Sequence, residues 1–123
     1  MNSLIIDLNE IAYRRENEVF LPSNVKEIIE LYKENGFLLT GVIKDTFSHY
    51  CSIKNLDIFD NLYTEGGETL KEIYEKISIK SSIIVSDNHQ WLIEWSSDFT
   101  IKNSKFFFAN VFFKRYQSIS YEG

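Results

Sequence analysis

SIIVSDNHQWLIEWSS, residues 82–97, is the stretch whose reading decides the fold. Two apolar runs, Ser82–Ser86 and Trp91–Ser97, flank the polar loop Asp87-Asn88-His89-Gln90, the composition of a hairpin connection. In the second run Trp91, Ile93 and Trp95 share one face and Leu92, Glu94 and Ser96 the other, a strand period of two. A third run, Lys105–Tyr116, carries Phe106, Phe107, Phe108, Val111, Phe112 and Phe113 and puts apolar bulk on both faces. These three strands predict a C-terminal antiparallel β-meander packed against helices, and so an α+β fold.

Upstream the period changes to that of helices. Val25, Ile28, Ile29 and Tyr32 form one apolar stripe over 24–35. Pro22 with Ser23 or Asn24 supplies the start, Glu27 completes a capping box with Asn24, and Gly36 suits the left-handed position after the end. Leu70, Ile73, Tyr74 and Ile77 mark a second helix over 68–77. Ile53, Leu56, Phe59 and Tyr63 predict another over 53–62, although 49–53 also fits a strand. Ser3–Leu8 reads as a strand covered on both sides and Phe37–Ile43 as a second, giving an N-terminal strand–helix–strand unit. The polar patch Arg14–Glu18 reads as a turn or exposed loop.

The chain of 123 residues has one proline, one glycine pair at Gly66-Gly67, and no repeat, so a single domain over 1–123 is expected. Asp7 ends the first apolar run after three residues, which fits neither a signal peptide nor a membrane span. Cys51 is the only cysteine, and a reducing cytoplasm suits it better than secretion. With two histidines and no paired cysteines, no metal site and no cofactor is expected. His49 and Cys51 are spaced too commonly to define a dyad. Residues 1–75 carry 14 acids and 7 bases and residues 76–123 carry 4 acids and 6 bases, so the acidity is N-terminal. Such a surface repels phosphate backbones, which argues against direct nucleic-acid binding and favours a basic protein partner.

Leu4-Ile5-Ile6-Asp7-Leu8-Asn9 resembles the first motif of haloacid dehalogenase-type phosphatases. There a strand ends in two aspartates one residue apart, the first a nucleophile and the second a general acid. Phe37-Leu38-Leu39-Thr40 resembles the second motif, a strand ending in Ser or Thr, and Ile83-Ile84-Val85-Ser86-Asp87 the last. The resemblance implies a hydrolase using Asp7. Two departures stand against it: Asn9 occupies the general-acid position, and the family has alternating strand and helix units where a strand-rich end is expected here.

No complete catalytic set otherwise emerges, and a non-enzymatic protein is the first expectation. Glu27, Glu30 and Glu34 on one helix and Glu68, Glu72 and Glu75 on the other suit an acidic docking face, joined by Trp91, Trp95 and Tyr116 as exposed aromatic anchors. Small, acidic and cytoplasmic character of this kind is that of an immunity protein, which neutralises a cognate bacterial toxin such as a nuclease by covering its basic active-site surface. The alternative expectation is an assembly domain that forms a homodimer through the Phe-rich last strand.

Overall fold

The computed structural model describes residues 2–9, 11–44, 56–68, 70–87 and 102–113. Its elements in chain order are β1 (Ser3–Asp7), β2 (Tyr13–Arg15), β3 (Glu18–Phe20), α1 (Ser23–Glu34), β4 (Leu38–Lys44), β5 (Asn61–Glu65), α2 (Leu70–Ile77), β6 (Ile83–Val85), β7 (Lys105–Phe107) and α3 (Ala109–Phe112). Five strands form one sheet in the order β5-β4-β1-β6-β7, and every neighbouring pair is parallel. The remaining two, β2 and β3, make a separate antiparallel hairpin.

The sheet overturns the expected antiparallel meander. Strand β6 pairs with β1 and with β7, both in parallel, so the fold is α/β. A period of two is common to both kinds of sheet, so it does not report strand direction. The expected strand Lys105–Tyr116 is only three residues long as β7, because Ala109–Phe112 turns into a helix. The expected helix over 53–62 is likewise absent from its described part, where a turn at 56–58 leads into β5 at Asn61. The expected strand Trp91–Ser97 lies outside the described residues.

All five residues of β1 are buried, as a central strand with both faces covered requires. Alternate side chains serve opposite layers. Leu4 and Ile6 join Leu39, Ile43 and Val85 under α1, whose Val25 and Ile29 fill the same cluster. Ile5 joins Val42 and Ile84 under α2, through Ile73 and Tyr74. Each fully buried aliphatic side chain contributes roughly 1.5–3 kcal/mol, so β1 anchors both layers at once.

Helix α1 begins one residue before the expected 24–35 and ends one before it, and Gly36 does adopt a positive φ of 82° after its end. Its start differs from the expectation: no side chain caps it, so the Asn24–Glu27 capping box is not formed. Of the Arg14–Glu18 patch, only Glu16-Asn17 forms the turn of the β2–β3 hairpin, with Glu16 at a φ of 56°, while Arg14, Arg15 and Glu18 belong to its strands.

Candidate functional site at the carboxyl edge of the sheet

A parallel sheet points every strand's carboxyl end the same way, so the residues that follow those ends gather along one edge. From β1 the chain moves to β4 and β5 on one side, then crosses to β6 and β7 on the other. The direction of winding therefore reverses between β1 and β6, and a crevice outside the strand ends at such a reversal is the usual place for a ligand in open α/β sheets.

Asp7 is the last residue of β1 and stands at that reversal, 3% exposed. Its Oδ2 accepts a hydrogen bond of 2.7 Å from the Ser86 hydroxyl, just beyond the end of β6. Its Oδ1 accepts the Asn9 backbone N–H at 3.1 Å, a tight turn of the kind Asp favours. The carboxylate is thus aimed by donors from both sides of the reversal. Gly41 supports this turn from below. A Cβ there would come within 2.7 Å of Leu8 Cδ1 and 2.8 Å of Leu62 Cδ2, so the bare backbone leaves room for Leu8 next to Asp7.

Asn9 ties three strand ends together. Its Oδ1 accepts the Lys44 backbone N–H at 2.8 Å, and its Nδ2 donates to Glu65 Oε2 at 3.3 Å. Lys44 and Glu65 close β4 and β5 and lie opposite each other in register. Beneath them Tyr74 is fully buried; burial pushes its hydroxyl well above the ordinary 10.0, and the Asp7 and Glu65 carboxylates add to the rise. Tyr74 therefore stays a neutral phenol at working pH.

Three residues matched to the haloacid dehalogenase motifs, Asp7, Asn9 and Ser86, come together here. Thr40 does not. It lies opposite Ile5, in mid-strand, because β4 continues to Lys44. Its side borders a separate cavity of about 330 Å³ with Leu38, Asn61, Leu62, Tyr63 and Ile77. Asp87 accepts the Ala109 N–H at 2.9 Å and so braces the entry to α3. Sequence reasoning passed over Lys44, Glu65 and Tyr74. Lys44 ends an apolar run and Glu65 precedes Gly66-Gly67, both signals of a strand end, whereas Tyr74 looked like any core residue of its helix.

The expected partner-binding residues divide. Glu27, Glu30 and Glu34 are exposed on α1, and Glu68, Glu72 and Glu75 are exposed at or beside α2. These helices cover opposite faces of the sheet, so the two acidic sets do not form one footprint. Glu68 accepts a hydrogen bond from the Tyr63 hydroxyl, which raises the Tyr63 pKa. Trp91, Trp95 and Tyr116 lie outside the described residues, as do His49 and Cys51. In the Phe-rich segment Phe112 meets Phe107 and Tyr32 and Phe113 is fully buried, while Val111 is exposed. Among the described residues no three His, Cys, Asp or Glu side chains converge to hold a metal ion, and no helix is long and apolar enough to cross a membrane. No family model, curated protein or solved structure matches the chain.

Proposed function

We propose that the chain is a haloacid dehalogenase-like protein that acts on a phosphate compound at the carboxyl edge of its sheet, with Asp7 as nucleophile. The observation that carries this reading is the Asp7 carboxylate at the β1/β6 reversal, held by the Ser86 hydroxyl and the Asn9 N–H. One departure from the resemblance is also reduced, since the five-stranded sheet is parallel throughout rather than ending in an antiparallel meander.

In this mechanism an Asp7 oxygen attacks phosphorus and the bond to the leaving group breaks, giving an aspartyl phosphate. A carboxylate has about four lone-pair sites, so each oxygen can accept a hydrogen bond and still present a lone pair. Water then attacks the phosphorus and returns Asp7 as a carboxylate. Its two protons go to the phosphate released, one of which passes to solvent. Ser86 and Asn9 hold Asp7 in one orientation, which lowers the entropic cost of attack. The lone Cys51 supports a cytoplasmic setting.

The test is turnover of a panel of phosphate monoesters and acyl phosphates in magnesium buffer by the native protein and by Asp7→Asn. Native turnover lost in the variant supports the assignment. Turnover that survives the change contradicts it.

A second reading is favoured by the exposed row Glu27, Glu30 and Glu34 on α1. It is docking of a basic protein, such as a toxin whose cationic surface the helix would cover, with affinity that falls as salt rises. Charge reversal of these three residues to lysine tests it, and unchanged capture of the product of the neighbouring gene would discard it.

A further inference from the structure

We infer that, given the Asp7 chemistry proposed above, the site selects phosphate compounds whose leaving group departs without receiving a proton: acyl phosphates and activated aryl phosphates, not alkyl phosphates.

The inference comes from how the residue two beyond the nucleophile is used. An amide has no proton to give at neutral pH, and both ends of the Asn9 side chain are already committed, Oδ1 to the Lys44 N–H and Nδ2 to Glu65. Turning that side chain toward a leaving group would break the ties between β1, β4 and β5. Other described groups near Asp7 are also engaged, Glu65 by the Asn9 amide. The Ser86 hydroxyl donates to Asp7 itself. Asp87 is held at the Ala109 N–H. Tyr74 is fully buried with its proton bound more tightly than usual.

Proton donation to a leaving group is worth roughly 10²–10⁴-fold. An alkoxide needs all of it. A carboxylate, with a conjugate acid near pKa 4, or a nitrophenolate, more acidic than tyrosine at about 10, leaves as the anion and needs little. In the first step the P–O bond breaks and its electron pair goes to that anion, while Asp7 gains the phosphoryl group. No proton moves until water, which brings its own, enters in the second step.

The experiment measures kcat/KM of the native protein in magnesium buffer for acetyl phosphate, p-nitrophenyl phosphate, phenyl phosphate and glycerol phosphate. Asp7→Asn serves as the control. The expected result is a steep fall, at least about 10²-fold, from the first two to glycerol phosphate. Across substituted phenyl phosphates kcat/KM should likewise fall steadily as the pKa of the released phenol rises, the slope expected when the leaving group receives no proton. A flat native series with Asp7-dependent turnover would overturn the leaving-group inference and leave the Asp7 assignment standing. Absence of Asp7-dependent turnover for every compound would overturn both.

Discussion

Asp7 and Thr40 are buried polar residues on neighbouring strands of one sheet, at 3% and 6% exposure, yet they occupy different physical settings. Asp7 is the last residue of its strand and stands where the winding reverses, held by donors from either side. Thr40 has four further residues of β4 beyond it and borders a cavity that also takes in Leu38 and Asn61, the first residues of β4 and β5. Burial and polarity are therefore poor guides to a site in a parallel sheet. Distance from the carboxyl end of the strand separates a residue that can meet a ligand from one that belongs to the sheet interior.

Substitutions can sharpen this contrast. The largest effect belongs to Asp7→Asn. Turnover should fall by on the order of 10³-fold or more, because the amide lacks the nucleophilic oxygen pair. The fold should survive, because the Ser86 hydroxyl can rotate to accept from the new amide and the remaining oxygen can accept the Asn9 N–H. Circular dichroism and kinetics on the same sample check both statements.

Ser86→Ala comes next. It removes the donor to Oδ2 but keeps the carboxylate, so kcat should fall about tenfold while the protein loses about 1 kcal/mol in urea titration. A loss as large as that of Asp7→Asn would show that the site depends on β6 more than proposed.

Tyr74→Phe separates the layer beneath the site from the site itself. The folded-state pKa of Tyr74 is raised, so above about pH 10 the unfolded chain releases a proton that the folded chain keeps. Stability from this residue is full below that pH and is lost as pH climbs, at up to about 1.4 kcal/mol per pH unit. Urea midpoints between pH 9 and 11 should fall less steeply in Tyr74→Phe than in the native protein. Thr40→Val should do least, leaving kcat/KM within about twofold, and a larger loss would break the distinction drawn between the two residues.

How far the sequence discloses this arrangement depends on which physical signal each segment carries. The run Leu4–Ile6 is legible because only a strand covered on both faces accommodates it, and α1 is legible because four apolar residues at helical spacing outweigh its missing cap. The segment around Phe106–Phe113 misleads because phenylalanine favours strands when read locally. Here the chain bends at Phe108 into α3, and Phe112 and Phe113 are claimed by the core under α1. The parallel direction of the sheet is invisible to periodicity, and with it the edge on which the site gathers. Of the residues matched to the first and last motifs, Asn9 and Ser86 each donate to Asp7 at the strand ends. The second-motif match needs Thr40 at a strand end, which the strand expected over Phe37–Ile43 already exceeded and β4, running on to Lys44, does not provide. The ties from Asn9 to Lys44 and Glu65 span 35 and 56 residues, contacts that local spacing does not reveal.

The account rests on Asp7 forming a bond to phosphorus, and intact-mass spectrometry after brief mixing with acetyl phosphate and acid quenching tests that step alone. The account predicts one added phosphoryl group, mapped by peptide analysis to the segment containing Asp7 and missing from Asp7→Asn. No adduct in the native protein, or one that persists in the variant, would contradict it.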